Sequence, residues 1–176
     1  VVRHGTPVVC VDRSLSSGNL DKVEVDNHTG AMKAVEHIIA QGHKRIGLIG
    51  GPADSSTGRE RLRGYKDAHA QAGLPVKSEL IRFGDFKQES GQTLAHELLS
   101  LNDPPTALFA CNGLMTAGAL EAIAARGLRI PKQIAIVGFD ELPLSSVFNP
   151  PLTVVRQPAY EVGKYAAELL LKRIED

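Results

Sequence analysis

The chain has 176 residues, 43% of them hydrophobic and 23% charged, a globular composition with material for a sizeable core. Its 20 basic and 20 acidic side chains cancel, so these residues carry no electrostatic footprint for nucleic acid or an anionic membrane, and any DNA contact is expected from elsewhere. No signal peptide is visible, no apolar run approaches the roughly 18 residues of a membrane span, and the opening on Val1 reads as a piece cut from a longer protein.

Pro7 to Asp12 reads as a short strand, Val8 to Val11, closed by a carboxylate. Ser14 to Asp21 is a polar connection, and Lys22 to Val25 is a brief extended piece. Asp26 or Asn27 caps a helix whose apolar Met32, Val35 and Ile39 fall at helical spacing and which stops at Gly42. Ile46 to Ile49 is a buried strand ended by Gly50, Gly51 and Pro52. A small polar loop leads into a helix from Arg59 to about Gln71, with Leu62, Tyr65 and Ala68 on one face and Gly73 as its stop. Glu79 to Phe83 is a strand, Gly84 to Phe86 a turn, and Gln88 to Leu101 a helix carrying Leu94, Leu98 and Leu101. Thr106 to Cys111 is a strand, and Leu114 to Ala125 is a helix rich in Ala and Leu. Ile134 to Val137 is an unbroken apolar run of the kind that fills a parallel strand buried on both faces. After Pro151 come a strand, Leu152 to Arg156, and an amphipathic helix, Ala159 to Ile174, with Val162, Ala166, Leu169 and Leu170 inward. Strand then helix, repeated, predicts a doubly wound parallel α/β sheet with helices on both faces. Cys10 and Cys111 lie in apolar strands as small hydrophobes, in keeping with a reducing, cytoplasmic compartment.

Signatures of catalysis fail on inspection. His96-Glu97 begins like a zinc-protease helix, but the position for the second His is Ser100. Gly47 to Gly51 matches neither a dinucleotide fingerprint nor a phosphate-binding loop, and there is no Gly-x-Ser-x-Gly elbow. His37 and His43 flank a helix end, where His usually caps or faces solvent. No metal and no cofactor are expected. What recurs is a polar or aromatic residue at or just past each strand end: Asp12, the Ser55 to Arg59 loop, Phe86 after Asp85, Asn112 and Asp140. On a doubly wound sheet these ends converge on one edge, where ligands bind. Carboxylates accept from hydroxyls, Arg donates a fork, and an aromatic ring covers the apolar face of a sugar. Each residue also has a plain structural role. Asp140 could merely start a turn, Asn112 could cap a helix, Arg59 could be a solvated first-turn residue, and Phe86 could be core.

The text VDNHTGAMKAVEHIIAQGHKRIGLIGG, GRERLRGYKDA, GDF, PPTALFACNGLMTAGALEAIAARGLRIPKQIAIVGFDE and PPLTVVRQPAYEVGKYAAELLLKRI resembles the effector-binding domain of LacI/GalR family transcription regulators. That resemblance implies a periplasmic-binding-protein-like type I fold, one complete lobe plus part of a second. Residues 26–156 would form the C-terminal lobe, and 1–25 and 157–176 would be pieces of the N-terminal lobe. It also implies effector contacts at Asp12, Arg59, Phe86, Asn112, Asp140 and Gln157. A homodimer is implied through Ala117, Leu120, Ser146, Val147 and Phe148. Operator DNA would be read by an N-terminal helix-turn-helix outside this chain, and the effector would be a sugar or similar small molecule, bound without chemistry. One departure is Gly113, where the family often has Asp after the Asn. A periplasmic sugar receptor and a glycoside-cleaving enzyme using Asp12 and Asp140 are the rival readings.

Overall fold

The computed structural model describes residues 6–13, 20–143 and 149–175. The chain divides into two compact units, one of residues 1–26 and 157–176 and one of residues 27–156.

In the smaller unit, β1 (Val9–Val11) pairs in parallel with β2 (Asp21–Val23), Val9 opposite Asp21. Helix α5 (Ala159–Glu175) packs against both strands. Val162, Ala166, Leu169 and Leu170 are half-buried, whereas Tyr160 and Tyr165 are exposed, so the expected inward face is the one that packs. Arg173 donates to the Asp21 carboxylate, and this contact holds the Asp21 pKa below its ordinary value.

The larger unit is built on a five-stranded, all-parallel sheet. Its order is β4 (Ile81–Phe83), β3 (Ile46–Gly50), β5 (Ala107–Ala110), β6 (Ala135–Phe139), β7 (Thr153–Val155). The two strands at its centre, β3 and β5, are buried at every residue, as their unbroken apolar runs require. From β3 the chain steps outward to β4 and then returns past β3 to β5 and β6. Right-handed crossovers therefore put α2 (Ser56–Gln71) on one face and α3 (Gln88–Leu99) and α4 (Gly113–Ala125) on the other. Helix α1 (Asn27–Ala40) packs beside α2, and α3 beside α4. The expected doubly wound parallel sheet is thus present.

Several expected boundaries move. Helix α2 begins at Ser56, three residues before Arg59, because the Ser55 hydroxyl accepts from the Gly58 N–H at 3.0 Å and caps it. Its buried stripe runs through Arg61, Tyr65 and Ala68, and Leu62 is only half-buried. The face of α1 on the sheet is Ala31, Ala34, Val35 and Ile38 rather than Met32 and Ile39. Glu79 lies in a short 3₁₀ turn, Ser78–Leu80, ahead of β4. The helix pairs are set close by glycines: a methyl at Gly64 would stand 2.4 Å from the His28 carbonyl oxygen, and one at Gly118 would stand 2.0 Å from that of Gln88.

Candidate functional site

The chain reverses its direction across the sheet between β3 and β5, and at such a reversal the loops leaving the strands splay apart to leave a crevice. Four of the sequence candidates fall on the larger unit, and three of them are brought together at this end of the sheet.

Phe86 follows β4 with φ 66° and is 8% exposed. The tip of its ring closes on Gly51, where an added methyl would sit 2.1 Å from Cζ and 2.2 Å from Cε1, so a side chain there would push the ring away. Asn112 caps α4, its Oδ1 accepting from the Met115 N–H at 2.9 Å, and its Nδ2 donates to the Phe86 carbonyl at 2.9 Å. The plain capping role is therefore real, and the same side chain also ties Phe86 to α4. Asp140 follows β6 with φ 77°, is half-buried, and its Oδ2 faces the Gly113 N–H at 3.4 Å. The Asp140 N–H donates to the Val155 carbonyl at 2.9 Å, fastening the end of β6 to β7. A methyl at Gly113 would meet only ordinary van der Waals neighbours, Leu142 and Asp140.

Arg59 is not with them. Its side chain is exposed and donates to the Asp54 carbonyl at 2.7 Å. Two residues along a helix is about 200° of rotation, so the opposite face holds Arg61. Arg61 is 2% exposed. Its Nε donates to Asn27 Oδ1 at 2.8 Å, its Nη1 donates to the Cys111 carbonyl at the end of β5, and its guanidinium lies 3.7 Å above the Phe139 ring. Sequence reasoning passed over it because a charged residue is almost never assigned to a buried stripe. The i, i+4, i+7 spacing of Arg61, Tyr65 and Ala68 was the available signal. Beside it, burial pushes the Cys111 thiol up to about 12, against an opposing pull from Arg61, which makes it an inert core group.

On the smaller unit, Asp12 ends β1 with φ 65°, and its N–H donates to the Val23 carbonyl at 3.0 Å. Its Oδ1 is buried with no hydrogen-bond partner among the described residues. Gln157 is half-buried. The non-glycine residues with positive φ among the described residues are Asp12, Phe86 and Asp140, all three of them sequence candidates. A left-handed residue carries roughly 1–3 kcal/mol of strain and persists where surrounding structure enforces it, typically at functional sites.

A cavity of about 670 Å³ lies at the other end of the sheet, among the C-terminal turns of α1 and α4, the start of β6 and the approach to β7. Ile38, Leu120, Ile123, Leu128 and Ile136 line it, with His37, Gln41 and His43 along one wall. Among the described residues there is no cluster of His, Cys, Asp and Glu suited to a metal ion, and no helix long and apolar enough to cross a membrane.

A family model described as a periplasmic binding protein-like domain matches residues 35–176. The chain belongs to that family. Within it, the repressor PurR of Aliivibrio fischeri (strain MJ11) is 41% identical over 172 residues, 97% of this chain and 51% of the relative. The repressor CytR of Escherichia coli (strain K12) is 39% identical over 173 residues, 98% of this chain and 51% of the relative. A LacI-family regulatory protein from Chloroflexus aggregans superposes with a TM-score of 0.88 at 37% identity, over 99% of this chain and 63% of that one. The transcriptional regulator CelR, solved as a cellobiose complex, superposes with a TM-score of 0.88 at 37% identity, over 95% and 52%. The chain thus spans about half the length of the curated relatives it matches, which are LacI-family transcriptional repressors.

Proposed function

We propose that this chain is the effector-sensing part of a cytoplasmic, LacI-type transcription regulator. It binds a sugar or similar polar small molecule at the carboxyl ends of β3 to β6 and does not transform it. Operator DNA is read by a helix-turn-helix outside these 176 residues. The observation that carries this reading is the coincidence of enforced backbone strain at Phe86 and Asp140 with a buried guanidinium, Arg61, at the point where the sheet winding reverses.

In this reading Arg61 takes the role first expected of Arg59 and donates to ligand oxygens. Asp140 accepts from hydroxyls, Asn112 holds Phe86, and Phe86 presents a ring edge to the ligand. On the smaller unit, Asp12, with its buried acceptor, and Gln157 stay candidates on their own local features. CelR is a regulator solved with a disaccharide, which supports a carbohydrate as the first class to try. A thermal-shift panel of mono- and disaccharides, nucleosides and purines on the intact protein tests the assignment. A ligand at 100 times its Kd adds about 2.7 kcal/mol of stability; Arg61→Met is expected to remove that gain, and Asp140→Asn to cut it to about half or less. Arg59→Ala is expected to retain it.

The protein is also proposed to be a homodimer through α4. That helix is apolar nearly all round, yet Leu114 is 54% exposed, and half-buried Ala117 and Leu120 and exposed Ala124 continue the same stripe. A helix apolar on every side belongs in an interior or an interface. Ser146, Val147 and Phe148, expected at the same contact, lie outside the described residues. Sedimentation of the intact protein, with Leu114→Glu as the disrupting variant, tests this.

A further inference from the structure

The chain passes between its two compact units twice, at Asp26–Asn27 and at Arg156–Gln157. Both crossings are fastened, on the larger unit's side, to residues of the site. At the first, Asn27 is the opening residue of α1, is 6% exposed, and its Oδ1 accepts from Arg61 Nε at 2.8 Å. The same turn of α1 is pressed onto the site by Gly30, where a methyl would stand 3.1 Å from the Phe139 ring and 3.2 Å from Val155. At the second, Val155 accepts from the Asp140 N–H one residue before the crossing. Arg61 itself stacks on Phe139, so one aromatic ring is shared by the guanidinium and by the first turn of α1.

We propose that Asn27 is a positioning residue, one that fixes the Arg61 guanidinium and ties it to the first chain crossing, so that engagement of Arg61 is felt at the crossing through the Asn27 side chain. The proposal rests on the reading of Arg61 as a ligand contact, but its mechanical part stands apart from any ligand. The geometry favours it because Nε is the guanidinium nitrogen nearest the stem. A bond there sets the plane of the fork, while the Nη1 bond to Cys111 sets its tilt. Losing either leaves the fork in the pocket but misaimed, and losing the Asn27 bond also removes a tie between the first turn of α1 and the end of the sheet. No rearrangement of the core is needed for that signal, because donor and acceptor belong to the pocket and the crossing respectively.

The test is amide hydrogen exchange followed by mass spectrometry on the ligand-free, intact protein. Asn27→Ala is expected to speed exchange of residues 26–31 by about tenfold to a hundredfold, the range for losing a hydrogen bond to a charged group. Residues 88–99 of α3 should be unchanged. Asn27→Asp, which keeps an acceptor, is expected to restore protection, and Arg61→Lys, which lacks Nε, is expected to reproduce the loss. The double variant Asn27→Ala/Arg61→Lys should be no worse than either single one. Unchanged exchange at residues 26–31, or an equal rise in α3, overturns the proposal by showing either no joint or mere global loosening. If instead the exchange pattern appears and no compound in the thermal-shift panel binds, the joint stands and the ligand assignment falls.

Discussion

The two ends of the five-stranded sheet invite opposite guesses about where the site is. The amino end has a cavity of about 670 Å³, mostly aliphatic; the carboxyl end has a polar surface with a buried arginine, two left-handed residues and a phenyl ring clamped on a glycine. A cavity alone would draw attention to the amino end. Cost chooses the other, because strained backbone and a desolvated guanidinium each oppose folding unless surrounding structure enforces them, whereas an apolar hollow beside an uncovered helix needs only a neighbour. On the proposed reading free space and function lie at opposite ends of the sheet, and that separation can be tested by perturbing each end.

The largest effect is expected at Arg61. Arg61→Met leaves the Asn27 and Cys111 acceptors without their donor, at about 1–3 kcal/mol each, and abolishes ligand-induced stabilisation; urea unfolding with and without ligand measures both. Next is Ile123→Ala at the cavity, where Ile123 is 1% exposed. A loss of about 3 kcal/mol is expected for deleting such a side chain, with ligand affinity unchanged. A fall in affinity there would break the comparison. Third is Asp140→Asn, which keeps a residue type tolerant of positive φ and an acceptor for Gly113 but removes the charge. Ligand affinity should drop at least about tenfold, the effect of weakening one charged hydrogen bond, while unfolding in urea is unchanged within about 0.5 kcal/mol.

The smallest is a pH effect at the amino end. His69 is 2% exposed near the end of α2, and its Nδ1 lies 2.8 Å from the Tyr65 carbonyl, which can only accept, so Nδ1 carries the proton of the neutral ring. Burial lowers its pKa below the ordinary 6.5, against a smaller upward pull from that hydrogen bond. The unfolded chain therefore binds a proton that the folded chain refuses. Stability is full above the ordinary imidazole range and falls as the pH drops through it. A melting temperature that declines from pH 7.5 toward 5.5 by a few degrees, and no longer does so in His69→Gln, is the expected result.

Much of this was legible in the residues. Apolar runs located the central strands because buried parallel strands have no polar face to encode. A polar or aromatic residue at or just past the strand ends marked Asp12, Phe86, Asn112 and Asp140 as candidates, and the last three lie at one end of the larger sheet. What the residues did not declare was that Phe86 and Asp140 are left-handed, since neither stands at a glycine, and that Ser55 starts α2. Moving that start from Arg59 to Ser56 brings in Thr57 and Gly58, both buried on the same helix as Arg61. Composition favoured Leu62 as the inward residue, yet tertiary contacts with Asn27, Cys111 and Phe139 favour Arg61. Such contacts join positions 34 and 50 residues apart, and no local pattern reports them.

The closeness of the paired helices bears on how a new specificity could arise. Gly64 seats α2 against the backbone of α1, and Gly91 and Gly118 seat α3 against α4, with less than a methyl's clearance at each point. Each pair is in effect one plate, so a substitution that shifted one helix would drag its mate and skew every strand-end residue at once. Retuning what the pocket accepts is therefore expected to proceed by exchanging side chains at the strand ends, with Gly113, at the start of α4 beside Asp140, an open place to begin, while the glycines under the plates stay as they are.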